Sequence, residues 1–275
     1  MRVVLLTSNY HLGANVAIRS LLESPLLKKH GIEIAGIVSA STFSINRRGF
    51  KIMWRFLKTS GFRFFCRTVL VRGWQTFLMK LARVFVKTNH RKFFEVSELA
   101  RTHKVPYLAV EQINSPKALA FTKRCEPDYL VSCLLLQIVR KELLTVPRLG
   151  SINFHPALTQ KHRGAFTSFW ALLNHWRMSG ATVHFMNEKL DAGNVIMQRR
   201  FVIRRSDTLH SIDQRSARLG GILLAKALVK LKRQEKTEVF VSKLGRVFSM
   251  PRPVDFSRFR EMGKKIILFR HLFEI

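Results

Sequence analysis

Acidic residues are scarce in this sequence. Its 275 residues include 17 Asp or Glu and 48 Lys or Arg, which gives a formal net charge of +31. Such an excess of positive charge indicates an anionic partner, such as nucleic acid, an anionic lipid surface or a phosphorylated substrate. Hydrophobic residues nevertheless make up 47% of the chain, which excludes wholesale disorder and is enough for a sizeable core.

Cysteine and long apolar runs are also in short supply. The three cysteines form no Cys-x-x-Cys pair and show no metal-ligand spacing with the ten histidines, so we predict no metal ligands and no disulfide framework. No uncharged apolar stretch reaches the roughly 18 residues that a membrane-spanning helix needs, and the N-terminal apolar run is too short for a signal peptide. We therefore expect a cytoplasmic location.

Short apolar segments rich in β-formers alternate along the chain with helical patterns. The segments predicted as strands are 2–7, 33–39, 107–110, 128–136, 150–155, 181–186 and 194–198. This order predicts an α/β fold, in which a mostly parallel, Rossmann-like sheet is flanked by helices. Ligands of such sheets bind at the carboxyl ends of the strands.

The predicted fold divides into two parts. We expect a catalytic domain over residues 1–210, with a basic helical insertion over about 42–94, and a C-terminal appendage over 211–275. The appendage is predicted to contain a helix over 217–231, a hairpin formed by 238–241 and 246–248, and a short basic helix after the prolines at 251 and 253.

The 42–94 segment contains thirteen Lys or Arg and no acidic residue. Its apolar residues recur at helical spacing with basic residues between them, as at Phe50, Met53, Trp54 and Leu57, which is typical of basic amphipathic helices. Three interpretations stay open: packing on the domain itself, peripheral contact with the inner membrane surface, and contact with nucleic acid.

The segment GSINFHPALTQKHRGAF, residues 150–166, places an Asn and a His one residue apart. In a strand, period-two alternation directs Asn153 and His155 to the same side, where both can reach one small group. Taken alone, Asn153 as a turn cap and His155 as a structural histidine are the simpler interpretations. The Leu-Asp-Ala-Gly block at 190–193 favours the functional one.

These blocks, together with FWALLN and SGATVHFMNEKLDAGNVIMQ, resemble the folate-dependent formyltransferase family, which includes methionyl-tRNA, glycinamide ribonucleotide and sugar N-formyltransferases. The resemblance covers about residues 127–208, and the Tyr before Arg-Gly in the family pattern is His162 here. The positions that match the pattern are Asn153, His155, Arg163, Gly164, Gly180, Thr182, His184, Leu190, Asp191 and Gly193.

The resemblance implies that Asn153, His155 and Asp191 are the catalytic residues. An amine that attacks a formyl carbon builds an oxyanion, to which the amide of Asn153 and a protonated His155 can donate hydrogen bonds. Asp191 would hold the charge of the imidazole and take the proton of the amine, directly or through water. His184 is expected to be a hydrogen-bonded strand residue.

The resemblance also implies 10-formyltetrahydrofolate as the formyl donor. Its pterin is expected between the backbone of residues 136–139, which would read the pterin edge, and the loop that contains Asp191. The implied cofactor-binding residues are Leu136, Gln137, Ile138, Val139, Glu188 and Gly193. The acceptor-binding residues that we predict are Asn9, Gly13, Arg163 and Gly164, since the start of the first helix and an arginine both suit an anionic group.

The expected function is formyl transfer to a primary amine, in the manner of methionyl-tRNA formyltransferase. PRLGSINFH most resembles that enzyme, and the positive charge suits tRNA. Because too few residues follow Thr208 for the C-terminal oligonucleotide-binding barrel of that enzyme, a sugar-nucleotide amine or another small phosphorylated amine is a rival acceptor. Hydrolysis of formyltetrahydrofolate, and a non-catalytic scaffold that binds membrane or nucleic acid, also stay open.

Overall fold

A computed structural model of the chain describes residues 1–9, 12–41, 54, 57–58, 95–159, 162–187, 191, 193–235 and 245–266. The strands in these ranges are β1 (Arg2–Ser8), β2 (Glu33–Ala40), β3 (Tyr107–Val110), β4 (Tyr129–Cys133), β5 (Gly150–His155), β6 (His162–Gly164), β7 (Met178–Phe185), β8 (Val195–Val202) and β9 (Arg246–Phe248). The helices are α1 (Leu12–Leu22), α2 (Pro25–Lys29), α3 (Val96–Thr102), α4 (Pro116–Arg124), α5 (Lys141–Leu144), α6 (Thr167–Leu173), α7 (Leu209–Lys232) and α8 (Pro253–Glu261).

Seven of the strands form one sheet, in the order β3-β2-β1-β4-β5-β7-β8. The first five are parallel to one another, whereas β7 runs antiparallel to both β5 and β8. The predicted α/β fold with a mostly parallel, helix-flanked sheet is therefore confirmed.

The core lies on both faces of the sheet. In β1, Val3 and Leu5 join one apolar cluster, while Val4 and Leu6 join the other, because successive strand residues face opposite sides. All four are fully buried. This burial on both faces is the reason why β1 reads as a continuous apolar run rather than an alternating one.

Helix α7 is longer than the predicted helix over 217–231. It begins after Thr208, whose Oγ1 accepts a hydrogen bond from the N–H of Ser211 at 3.1 Å, while Ser211 Oγ accepts from the N–H of Thr208 at 2.9 Å. This reciprocal cap fixes the start of the helix. The helix spans residue 210, the predicted boundary between the two parts of the chain, and packs against α1 and β7. The division of the chain into two parts stays a prediction.

Two further predictions concern the C-terminal hairpin and the basic 42–94 insertion. Strand β9 pairs in parallel with β6, in the register His162↔Arg246, and residues 238–241, its predicted hairpin partner, lie outside the described residues. Almost all of the 42–94 segment also lies outside them. No helix among the described residues is long and apolar enough to cross a membrane.

Candidate active site

Strand β5 divides its side chains between the core and the site. Phe154 packs in the core and is 1% exposed. Asn153 and His155, on the other side of the strand, both contact Asp191, which lies between β7 and β8 with a positive φ of 47°. The alternation predicted from the sequence therefore brings the amide, the imidazole and the carboxylate together.

Four groups surround the carboxylate of Asp191. Its Oδ2 accepts a hydrogen bond from the N–H of Gly164 at 2.9 Å and lies 3.4 Å from His155 Nδ1. Its Oδ1 accepts from Asn153 Nδ2 at 3.3 Å and lies 3.6 Å from His184 Nε2. Only 9% of the Asp191 side chain is exposed, so the carboxylate is held almost entirely by protein groups.

These contacts keep Asp191 ionised. Burial alone raises the pKa of a carboxyl group, because it disfavours the charged form. The charge of His155 and the contacts with His184 and Gly164 outweigh burial, so the pKa of Asp191 lies well below its ordinary value. An ionised carboxylate is able to accept a proton from an amine or to stabilise a neighbouring cation.

Both ring nitrogens of His155 face oxygen atoms. Nε2 lies 3.0 Å from the carbonyl oxygen of His162, and Nδ1 lies 3.4 Å from Asp191 Oδ2. Burial lowers the pKa of His155, while the charge of Asp191 and the His162 carbonyl act against burial without cancelling it. Because a neutral imidazole donates from only one nitrogen, only the imidazolium form satisfies both oxygens. These two acceptors oppose the effect of burial, so the pKa of His155 falls less than burial alone would lower it.

His184 lies directly opposite Asn153 in the pairing of β5 with β7. Asn153 Nδ2 lies 3.2 Å from His184 Nε2, and His184 Nδ1 lies 2.8 Å from the carbonyl oxygen of Phe185. Nδ1 thus faces a carbonyl oxygen of its own strand, and Nε2 faces both the amide of Asn153 and Asp191 Oδ1. His184 is hydrogen-bonded within its strand, as expected, and in addition it orients the amide of Asn153.

The predicted acceptor-binding residues occupy two places. Arg163 and Gly164 lie in β6 beside the site, and Arg163 Nε is buried without a hydrogen-bond partner among the described residues. Asn9 follows β1, and its Oδ1 accepts a hydrogen bond from the hydroxyl of Tyr107 at 3.1 Å. Gly13 is the second residue of α1.

The predicted cofactor segment, residues 136–139, is irregular and lies between β4 and α5. Leu136 and Ile138 expose 58% and 81% of their surface, whereas Val139 is buried. The N–H of Leu136 donates to Ser8 Oγ at 2.8 Å, and the carbonyl of Ile138 accepts from Asn114 Nδ2 at 2.8 Å. Two of its backbone groups are thus already bound to protein, and its exposed apolar side chains suit a flat heterocycle.

Gln137 turns its side chain away from this exposed surface. Its Oε1 accepts a hydrogen bond from the N–H of Ile113 at 2.8 Å, and its Nε2 donates to the carbonyls of Ser41 at 3.2 Å and Glu111 at 2.9 Å. The carboxamide therefore ties the cofactor segment to the residues that follow β2 and β3. Its position indicates a structural contribution to this segment.

The remaining cofactor-binding predictions fall in the loop between β7 and β8. Gly193 lies so close to the backbone of Phe185 that an added Cβ would lie 1.7 Å from its carbonyl oxygen. Glycine is required there by the approach of two chain segments. Glu188 and Leu190 lie outside the described residues. No group of three or more His, Cys, Asp or Glu is arranged to hold a metal ion within the described part of the chain.

Comparison with known proteins assigns the chain to a family. The family model described as formyl transferase matches residues 80–228, more than half of the 275 residues, and this match includes Asn153, His155 and Asp191. The chain belongs to the formyl transferase family. The methionyl-tRNA formyltransferase of Thermotoga maritima is 33% identical over 137 residues, which are 50% of this chain and 44% of that protein. The chain thus spans less than half the length of this relative.

Solved structures of formyl transferases share the fold. Glycinamide ribonucleotide transformylase 1 from Symbiobacterium toebii matches with a TM-score of 0.59 and 16% identity, over 90% of this chain and 94% of that one. A sugar N-formyltransferase from Shewanella sp. matches with a TM-score of 0.56 and 18% identity, over 91% of this chain and 77% of that one. At these identities the likeness concerns the fold alone.

Sequence reasoning missed three contributors to this candidate site. The backbone N–H of Gly164 binds Asp191, and the backbone carbonyl of His162 contacts His155. Gly220 of α7 lies behind β5, where an added Cβ would lie 2.1 Å from the ring of Phe154. The Arg-Gly pair was predicted to bind the acceptor, but only the pairing in space shows that the backbone of β6 contacts His155 and Asp191.

Proposed function

We propose that this chain transfers a formyl group from 10-formyltetrahydrofolate to a primary amine. The observation that carries the proposal is the convergence of Asn153, His155 and Asp191 at the carboxyl end of β5, with Asp191 held by hydrogen bonds from the chain. Membership of the formyl transferase family supports the reaction class.

Each side chain has a role that its contacts suit. Asn153 is partly exposed, and its amide exchanges a contact with His184 or Asp191 for the formyl oxygen, which becomes negatively charged as the amine attacks the carbon. His155 in its imidazolium form adds positive charge beside this oxygen. Asp191 accepts the proton that the amine nitrogen releases, directly or through water.

The proton balance follows from these roles. A bond forms between the amine nitrogen and the formyl carbon, one proton leaves that nitrogen, and one proton is needed where the bond to the folate nitrogen breaks. Asp191 is ionised and takes the first proton, and it lies 3.4 Å from His155, so the two side chains form a path by which a proton is returned. The bound donor supplies the activated formyl group, and residues 136–139 with the turn at Asp191 would hold it.

For the amine we propose the aminoacyl group of initiator tRNA. A methionyl-tRNA formyltransferase is 33% identical over half of this chain, and the net charge of +31 favours a polyanionic acceptor. Arg163, whose Nε is buried without a partner among the described residues, would bind a phosphate or carboxylate of the acceptor. Asn9, Gly13 and Gly164 complete the proposed acceptor side.

The test is an acceptor screen with formyl-labelled tetrahydrofolate and purified protein. Charged initiator tRNA is compared with an amino-sugar nucleotide, glycinamide ribonucleotide and a reaction without acceptor. Label on the tRNA supports the proposal. Label on a small amine alone would mean that this amine, and not the tRNA, is the acceptor. Formate released at the same rate without acceptor indicates a hydrolase, and an absence of both folate binding and turnover indicates a scaffold.

We propose nucleic acid rather than membrane as the partner of the basic 42–94 segment, since tRNA would account for its charge. With tRNA as the partner, we also propose a cytoplasmic location. Trp54, one of its few described residues, is 50% exposed, with Lys58 Nζ 5.5 Å from its ring centroid. Sedimentation with tRNA or with anionic liposomes at rising salt separates the two partners. Retention on liposomes that depends on Trp54 and Trp74 would favour the membrane.

A further inference from the structure

Strand β6 joins two of the three proposed catalytic side chains, His155 and Asp191 (the catalytic pair), through its backbone. The carbonyl of His162 contacts His155 Nε2 at 3.0 Å, and two residues later the N–H of Gly164 donates to Asp191 Oδ2 at 2.9 Å. A shift of β6 by a fraction of a hydrogen-bond length would therefore disturb His155 and Asp191 together. The position of the catalytic pair depends on whatever holds this three-residue strand in place.

The strand partner of β6 is β9, a segment from the C-terminal part of the chain. The two pair in parallel, with Gly164 opposite Phe248, and the N–H of Ala165 donates to the carbonyl of Phe248 at 3.0 Å. Gly164 has a φ of 88°, and an added Cβ there would lie 2.2 Å from the Phe248 carbonyl oxygen. Glycine at 164 thus permits the close approach of β9 as well as the bond to Asp191.

Side chains reinforce this pairing. The ring of Phe248 stacks on the ring of His162, with centroids 4.5 Å apart and an angle of 4° between the planes, and Trp176 packs edge-on to His162 at 5.4 Å. His162 is fully buried, and neither of its ring nitrogens has a hydrogen-bond partner among the described residues. The imidazole of His162 is therefore held by aromatic packing rather than by polar contacts.

Residues on both sides of β9 are anchored as well. The N–H of Gly245 donates to the carbonyl of Thr159 at 3.2 Å, and Trp170 Nε1 donates to the carbonyl of Ser249 at 3.0 Å. Farther on, Phe259 of α8 stacks on the buried Phe169 of α6 with centroids 4.8 Å apart. The ring of Phe248 contacts His162, Trp170 and Trp176, and it is the side chain of β9 that stacks on the ring of His162.

We infer that Phe248 is a positioning residue for the catalytic pair, because its stack on His162 fixes the β6 backbone that binds His155 and Asp191. The inference rests on the proposed function, since it concerns how that same site is ordered. By this inference the C-terminal segment helps to order the formyl transferase site, although no sequence motif in that segment indicates such a role. Phe248 acts through β6 and touches neither His155 nor Asp191 in any described contact.

The test compares Phe248→Ala with Phe248→Leu and with Phe121→Ala. Phe121 is a partly buried aromatic residue of α4 that packs against the apolar cluster containing Val4 and Leu6. It serves as a control for general loss of packing. We expect kcat to fall about ten- to a hundredfold in Phe248→Ala, with KM for the folate nearly unchanged and partial recovery in Phe248→Leu. Phe121→Ala keeps the wild-type kcat per folded molecule.

A second readout does not require turnover. In spectra of protein with 15N-labelled histidine, Phe248→Ala should move the ring signals of His155, and Phe121→Ala should not. Loss of the Gly164 hydrogen bond raises the pKa of Asp191 toward its ordinary value, so the acid limb of the rate profile moves to higher pH. Unchanged His155 signals and an unchanged rate profile in Phe248→Ala overturn the inference. A wild-type protein that transfers no formyl group to any amine overturns the proposed function instead, whatever the spectra show.

Discussion

Asp191 Oδ2 lies 3.4 Å from His155 Nδ1, although the two residues are separated by 36 positions and lie on different elements. One oxygen of the carboxylate contacts His155 and Gly164, and the other contacts Asn153 and His184. The carboxylate is therefore the centre of the site, and most of the chemistry proposed for this formyl transferase depends on its charge.

Replacement of Asp191 by Asn should lower formyl transfer by roughly 10²- to 10⁴-fold, because the amide cannot accept the proton of the amine. Asp128→Asn is the matched control: Asp128 is also buried and holds the backbone N–H of Arg2 at 2.7 Å, but it lies just before β4, at the amino end of the sheet. Single-turnover rates per folded molecule separate the two variants. Equal rates in wild type and Asp191→Asn would contradict the proposed role.

His162 should make the fold sensitive to acid. Burial, followed by the nearby His155, lowers the pKa of His162 from the ordinary 6.5 to about 3. The unfolded chain therefore takes up a proton at His162 first as the pH falls, and stability is lost between these two values, by up to about 1.4 kcal/mol per pH unit. His162→Phe, which keeps an aromatic ring against Phe248, should reduce this slope.

Urea unfolding of wild type and variants between about pH 7 and pH 4 measures the effect. His162→Gln is the companion variant, since it removes both the titrating group and the aromatic ring. It should lose stability at neutral pH yet show the same reduced slope as His162→Phe. The expectation fails if all three proteins lose stability with acid at one common rate.

Gly220→Ala tests the packing behind β5. A Cβ at Gly220 would lie 2.1 Å from the ring of Phe154, so the ring or the strand has to move. Overpacking of this kind costs about 1–3 kcal/mol of unfolding free energy, and the displaced strand carries Asn153 and His155 with it. We expect kcat to fall along with stability. Ile222→Ala, at a 43% exposed position of the same helix, should leave both nearly unchanged.

Gln137→Leu tests the attachment of the cofactor segment. The variant removes the hydrogen bonds to Ile113, Ser41 and Glu111 and leaves the N–H of the buried Ile113 unpaired, at a cost of about 1–3 kcal/mol in stability. Because the segment is no longer fixed, affinity for the folate should fall more than kcat. Fluorescence titration with a folate analogue measures this, with Gln112→Leu, at an exposed position, as the control.

The strands were predictable because their signal is local. Residues 107–110 and 150–155 were predicted with the bounds that the structure gives, since apolar and β-branched residues bounded by turn formers need no long-range information. The start of α7 was placed too late, because Leu209 to Ser216 includes polar residues whose helical state depends on the Thr208 cap and on packing against α1.

The sequence by itself determined the sheet, the alternation that puts Asn153 and His155 on one side of β5, and the blocks that identify a formyl transferase. Tertiary structure alone decided that β9 pairs with β6 and that the backbone of β6 binds His155 and Asp191. The physical reason is that side-chain periodicity is a property of one strand. Pairing between segments some 80 residues apart depends on burial of aromatic rings such as Phe248 and on backbone hydrogen bonds, which any residue type can make.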